Sequence, residues 1–253
     1  MFGNYLLLAT SIVGYNPTDL ALTVFLNAKN NSSVTVQTGV SQWTSLNAIN
    51  PYVQTNTAAQ PIYSLTGMEN APAIQFDGVN DALTLGNYTQ GVFTRFFVVK
   101  MDVPNGFLFA TVYDYIWAGS GSTFEIARNG VFSSKNIASG WLNNNKTKVV
   151  MWRFDGTQAG HQVWVNGVQK VATDGSIGNP GNVLPPNSNV NLGSRGSNGF
   201  SKGLISAFVD RPFAMTDPQA KNELNFLISN FIPLAKLNTN GDPILDVNGD
   251  FTY

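Results

Sequence analysis

The stretch Ala71-Pro-Ala-Ile-Gln-Phe-Asp-Gly-Val-Asn-Asp-Ala-Leu-Thr-Leu85 carries the reading of the fold. A short run from Ala73 to Phe76 stops at Asp77-Gly78, and a second run from Ala82 to Leu85 follows. Glycine behind Asp or Asn supplies the positive φ that tight turns between antiparallel strands demand. The same punctuation recurs at Asn129-Gly130, Asp155-Gly156 and Asn166-Gly167. Outward from this hairpin, candidate strands run over Leu20 to Leu26, Val34 to Gln37, Phe93 to Met101, Gly106 to Val112, Thr123 to Arg128, Lys148 to Phe154, Gln162 to Asn166, Asn189 to Leu192 and Gly203 to Asp210. Short alternating runs broken by Gly, Asn, Pro and Ser predict an all-β antiparallel sandwich and not a βαβ array.

One segment is different. Thr216-Asp217-Pro218-Gln219-Ala220 opens like a helix, and Leu224, Leu227, Ile228 and Phe231 recur at helical spacing before Pro233. This predicts one amphipathic helix packed on the sandwich. The chain then divides into an N-terminal arm over residues 1–18, a sandwich over 19–232 and a C-terminal hairpin or tail over 233–253. The tail contains two Asn-Gly turns and reads as an appendage outside the main core.

Composition excludes several functions. Only 11% of the 253 residues are charged and the net charge is -1, against roughly 25% charged in an ordinary domain. No basic stripe exists to neutralise phosphates, so nucleic acid is not an expected partner. Asparagine, at roughly thirty positions, takes over much of the surface polarity. The absence of cysteine removes disulfides, thiolate metal sites and cysteine nucleophiles together. The apolar stretch Tyr5 to Gly14 is far shorter than the roughly 20 residues that span a bilayer. It also lacks the basic residues of a secretory signal, the first being Lys29, so it is read as part of the mature chain with no membrane insertion.

Several blocks then fall in a familiar order: Leu20-Ala-Leu-Thr-Val-Phe-Leu-Asn-Ala28, Val40-Ser-Gln-Trp43, Gln60-Pro-Ile-Tyr63, Ala71 to Asp81, Val163-Trp-Val-Asn-Gly167, Asn191-Leu-Gly193 and Gly203 to Gln219. In this order they resemble the concanavalin A-like lectin/glucanase superfamily, in its laminin-G-like form, over about Leu20 to Ile232. The resemblance implies a jelly-roll β-sandwich of two curved antiparallel sheets, with ligands on the concave face or at the rim loops. Where many relatives have Trp-Leu-Asp-Ala in the first strand, this chain has Phe25-Leu26-Asn27-Ala28, which removes a carboxylate. The superfamily includes glycan-binding modules, adhesive domains, polysaccharide hydrolases and structural proteins of bacterial viruses. A cysteine-free, Asn- and Gly-rich chain with arms at both ends is most similar to the last group.

Catalysis finds little to work with. Glycoside hydrolysis takes two carboxyl groups about 5 to 9 Å apart, and only Glu69, Glu125 and Glu223 are glutamates, with no second acid beside Glu125. Asp114 with Asp155 is the remaining pair. His161, the single histidine, is expected as an exposed residue at a hairpin edge, without a nucleophile elbow. Gly119-Ser-Gly-Ser122 lacks the Lys-Ser/Thr ending of a phosphate loop. The chain is therefore expected not to be an enzyme.

Binding has more candidates. A sugar offers an apolar face and a hydroxyl rim, which call for an aromatic ring beside planar amides. Tyr113, Tyr115 and Trp117, and Trp141 with Asn143, Asn144 and Asn145, supply that mixture in expected loops. Trp152 and Trp164 stand in strands, and at least one of them is expected in the core. No cofactor is required; calcium is the one ion left open, at Asp77, Asn80 and Asp81, residues that equally suit self-capped turns. Asp246-Val-Asn-Gly-Asp250 has the spacing of a calcium loop's opening but lacks its closing Glu. Tyr5, Leu6, Leu7 and Leu8 form an apolar arm suited to assembly. Together these point to a virion-surface structural protein of a bacterial virus, a capsid decoration, fibre or tail component contacting other virion proteins, further copies of itself or host surface polysaccharide. A cellular carbohydrate-binding module is the alternative.

Overall fold

The structure, a computed structural model, describes residues 24–46, 51–88, 91–103, 106–111, 114–118, 124–127, 145–157, 160–170, 188–196, 199–232, 235–239, 243–247 and 250–252. Among the described residues, sixteen strands and one α-helix follow in chain order. The strands are β1 (Val24–Asn27), β2 (Val34–Val36), β3 (Val40–Trp43), β4 (Tyr52–Val53), β5 (Ile62–Met68), β6 (Ala71–Asp77), β7 (Leu83–Tyr88) and β8 (Phe93–Val103). They continue as β9 (Gly106–Ala110), β10 (Tyr115–Ala118), β11 (Phe124–Ala127), β12 (Lys148–Phe154), β13 (Gln162–Val165), β14 (Val168–Lys170), β15 (Ser188–Leu192) and β16 (Lys202–Arg211), and α1 spans Asp217–Phe231. The first sheet has the order β14-β13-β12-β8-β16-β6-β5, with β1 also on β16, and the second β11-β10-β9-β15-β7-β4-β3-β2. The expected all-β sandwich of two antiparallel sheets with one C-terminal helix is what the chain forms.

Strand β16 organises the first sheet. One of its edges pairs with β8 throughout. The other changes partner, from β6 at Lys202 to Ile205 to β1 at Ala207 to Asp210. Ser206 sits at the change, where the β8 register also shifts. Its hydroxyl donates to the Pro72 carbonyl at 2.7 Å and its carbonyl accepts the Ala28 N–H at 2.9 Å. The proline in β6 is tolerated because it lies beyond the ladder with β16, which ends at Ile74, and at the break in register with β5.

Alternation sends the two faces of the first sheet into two cores. Phe93, Phe97, Val99 and Met101 of β8 meet Leu83, Leu85, Leu108, Phe109, Val190 and Leu192 of the second sheet. Phe96 and Val98 point the other way and pack with Val149, Val209, Leu227, Ile228 and Phe231 under α1. Burial on both faces explains why β8 and β12 read as nearly continuous apolar runs. The helix begins as its sequence predicts: the Gln219 side chain accepts the Thr216 N–H at 2.9 Å, and Pro218 lies in the first turn. The C-terminal tail folds back through bridges Leu237 to Pro243 and Leu245 to Phe251. It is a hairpin, yet Phe251 is buried in the outer core.

Two buried ion pairs stand on opposite faces of β16. Asp210 lies 3.5 Å from Arg95 of β8 between the sheets, and the guanidinium sits over Phe93, Phe109 and Trp152 at 3.7, 4.3 and 5.0 Å. On the other face Arg211 donates through Nε to Glu223 of α1 at 3.1 Å and also pairs with it through a terminal nitrogen. Both partners of each pair are wholly buried. Glu223→Gln leaves the Arg211 charge without this carboxylate and is expected to lower the unfolding free energy by about 3–5 kcal/mol in urea denaturation. The double replacement Arg211→Met, Glu223→Leu removes both charges and should recover most of the loss.

Candidate functional site

The second sheet has one face on the inter-sheet core and the other away from it. Thr35, Gln42, Val53, Thr84 and Asn191 each stand next to core residues of their own strands, respectively Val34, Trp43, Tyr52, Leu83 and Leu192. The strand period of two therefore turns all five outward. Their registers join them: Thr35 pairs with Gln42, Gln42 with Val53, Val53 with Thr84 and Thr84 with Asn191. Asn191 then pairs with Ala110 and Ala110 with Tyr115, so one row crosses seven strands and continues by register to Ala127 of β11. At about 4.8 Å per strand the row from Thr35 to Tyr115 is roughly 30 Å long.

The row is polar without charge. Thr84 Oγ1 donates to Asn191 Oδ1 at 2.7 Å, which fixes which end of the amide is the acceptor. Gln42 Nε2 donates to Thr44 Oγ1 at 2.9 Å, leaving its carbonyl oxygen as an acceptor. Ala110, between Asn191 and Tyr115, is fully buried and packs with Tyr115 and Phe107. At the β10 end, Phe107 and Tyr115 meet edge to face, with centroids 5.3 Å apart and an interplanar angle of 90°. The Arg195 guanidinium lies 4.8 Å from the Tyr115 centroid and 5.7 Å from that of Phe107.

Tyr115 and Trp117, expected in a loop, belong to strand β10 between β9 and β11. The reason is Ile116, which is fully buried in the inter-sheet core and holds this segment in the sheet. Tyr115 is 5% exposed, so its ring is packed beneath Arg195 and is not an open platform. Trp117 pairs by register with Phe107 and Glu125. Asn145 has φ +53° and stands three residues before β12. Tyr113, Trp141, Asn143 and Asn144 lie outside the described residues, as do Tyr5, Leu6, Leu7 and Leu8 and the stretch Gly119 to Ser122.

His161, expected at the surface, is fully buried. It packs on Trp152 and Phe154 with centroids 5.9 and 5.7 Å away. It shares its parity with Val163 and Val165, which face the inner core, and that alternation outweighs its position beside the turn. Trp152 is core, as expected for one of the pair, while Trp164 lies on the outer face under Arg153 at 4.5 Å. Trp164 walls a cleft of about 440 Å³ between α1, β12, β13 and the tail, floored by Phe96, Val149 and Met151.

Several of the described acids have partners of their own. Glu223 pairs with Arg211, and Glu69 accepts from Thr147 Oγ1 at 3.0 Å beside Lys100. Asp114 and Asp155 stand at connections of different sheets, before β10 and after β12. Asp246 and Asp250, the two ends of the calcium-like spacing, both contact Lys146, at 3.2 and 3.1 Å, and Asp250 also pairs with the buried Lys148. Asp77 Oδ1 accepts the N–H groups of Val79 and Asn80 at 2.7 and 3.2 Å, and Asp81 Oδ2 accepts that of Asp77 at 2.8 Å. A cation at this turn would compete with these amides for the same oxygens. Among the described residues, no three or more of His, Asp and Glu are grouped to hold a metal, and no helix is long and apolar enough to cross a membrane.

No family model matches the chain, and no curated protein does. Solved structures do. Domain 4 of a GH43 extracellular arabinanase from Geobacillus stearothermophilus, in complex with arabinotriose, superposes with a TM-score of 0.55 at 15% identity, over 81% of this chain and 98% of that one. Trypanosoma rangeli sialidase gives 0.58 at 16% identity over 84% of this chain and 33% of its own, so this chain spans about a third of it. The binding domain of Paraclostridial Mosquitocidal Protein 1 gives 0.53 at 12% identity, over 84% and 53%. At these identities the likeness is one of fold.

Burial first, and the neighbouring Asp77 charge further, push Asp81 up to about 6 from 3.8, against the lowering effect of the Asp77 N–H. Between those values the native state keeps a proton that the unfolded chain has released, so stability falls as pH rises through the window. Asp81→Asn removes this slope. The stability advantage of the variant in urea should open as pH rises from 3.8 to about 6 and stay level above.

Proposed function

We propose that this protein is a non-catalytic carbohydrate-binding β-sandwich that takes an extended glycan along the outward row of the second sheet. The observation that carries this reading is the row itself: Gln42, Thr84 and Asn191 in register with Tyr115 across seven strands, without a charged side chain from Thr35 to Tyr115. Its amides and hydroxyl offer donors and acceptors at strand spacing, which suits the hydroxyl rim of a chain of sugars. A polar face on a rigid sheet needs little ordering when a ligand arrives.

The neighbours support the reading without extending it. One is an arabinanase domain in complex with arabinotriose, another is part of a sialidase and a third is a toxin's binding domain. Two are thus parts of carbohydrate-active proteins, and this chain matches 98% of the arabinanase domain. The non-catalytic part of the proposal draws on the acids: Glu223 and Glu69 are engaged with cations or hydroxyls, and the row from Thr35 to Tyr115 contains no acidic residue. A place in a bacterial virion, expected from composition and resemblance, gains nothing from these neighbours, and display on an envelope, wall or particle is equally served by the same binding face.

The test is calorimetric titration of the intact protein with neutral and acidic oligosaccharides of several units, beside Asn191→Ala and Gln42→Ala. Each variant removes about one or two hydrogen bonds to ligand and should weaken binding about fivefold to tenfold. Leu65→Ser, on the exposed edge strand β5 of the other sheet, should leave affinity unchanged. Equal affinity in all three variants would move the site elsewhere.

A further inference from the structure

We propose that the ligand is an acidic glycan, one carrying carboxylates, and that Arg195 reads the acid. This rests on the glycan reading above and adds the chemical class. Aromatic rings beside amides first suggest a neutral sugar laid flat on a ring. The geometry points elsewhere, because Tyr115 is 5% exposed and the exposed Arg195 guanidinium stands over it. A ligand arriving at this end of the row meets a cation where an open ring was expected.

The cation is held in place. Phe107 and Tyr115, perpendicular to each other, form a corner in which both rings lie within cation–π range of the guanidinium. The backbone leading to it is tied down as well. Gly193 has φ +83°, and a side chain there would come within 2.3 Å of the Phe76 ring. Its N–H donates to the Leu108 carbonyl at 3.2 Å and its carbonyl accepts from Ser201 at 2.7 Å. Ser194 is fully buried and its hydroxyl donates to the Gly196 carbonyl at 3.3 Å. Arg195 is therefore delivered to the corner by a turn with little freedom.

A guanidinium stacked on rings keeps its five N–H donors in its own plane, enough for a carboxylate alongside the contacts it makes within the protein. Carboxylate meets it in a two-pronged pair, stronger and more directional than a hydroxyl contact. The row from Thr35 to Tyr115 itself contains no acidic residue. Hydroxyls would fall along Gln42, Thr84 and Asn191 and a sugar carboxylate at Arg195.

The experiment is titration of the intact protein with oligogalacturonate, a hyaluronan oligosaccharide and sialyllactose, beside carboxyl-reduced oligogalacturonate and arabino-oligosaccharide. At least one acidic ligand should bind, and where it is oligogalacturonate its carboxyl-reduced form should bind about tenfold or more weakly. Arg195→Gln should abolish the preference while the protein's thermal midpoint holds, and Arg195→Lys, which keeps charge but loses the fork, should restore only part of it. Equal binding of acidic and neutral ligands, or an acidic preference untouched by Arg195→Gln, would overturn the proposal. Binding of neutral ligands alone, weakened by Asn191→Ala, would overturn the acidic class and leave the glycan reading standing. Binding of none would overturn both.

Discussion

Asp210 and Arg211 are consecutive residues of one central strand, and their opposite charges go to opposite faces of the sheet. Asp210 turns inward to Arg95 between the sheets, and Arg211 turns outward to Glu223 of the helix. Burying four charges is costly unless each has a counterion in place. That requirement leaves β16 little room to slip, since a shift by one residue would carry each charge to the wrong face. The central strand, its neighbour β8 and the helix are positioned together by this alternation.

The layers follow from it. With α1 and the buried Phe251 covering the outer face of the first sheet at its central strands, both faces of those strands are spent on packing. Among the described residues, the second sheet carries no helix on its outer face, and Thr35, Gln42, Val53, Thr84 and Asn191 are part-buried or exposed there. That face is free to carry Thr, Gln, Asn and Val at positions where the first sheet must carry Phe, Val and Met. The division between a sheet that carries the helix and a sheet with a polar outer row is a consequence of where the helix docks, and the helix docks where Arg211 holds Glu223.

The site was only partly legible. Leu83-Thr84-Leu85 and Val190-Asn191-Leu192 announce a single polar residue facing away from the core, and both strands were visible in the sequence. What could not be read is that Thr84 stands opposite Asn191, or that the short strand Tyr52–Val53, with little periodicity of its own, completes the row between Gln42 and Thr84. Arg195 carried no signal at all, because its position depends on Phe107 and Tyr115 arriving from two other strands. His161 shows the opposite failure: its parity with Val163 and Val165 was present, and the adjacent turn obscured it.

By itself the sequence determined the sandwich, most strand positions, the turns at Asp77-Gly78 and Asn166-Gly167, and a helix beginning at Thr216. These depend on local chemistry, since alternation, positive-φ glycines and helix caps act within a few residues. Tertiary structure alone decided which strands pair and which rings lie under a cation. Those outcomes depend on cross-strand register and on the shared burial of residues far apart in the chain, such as Arg195 over Tyr115 and Arg211 against Glu223. No local pattern encodes them, because each contact exists only once both sheets and the helix have closed around it.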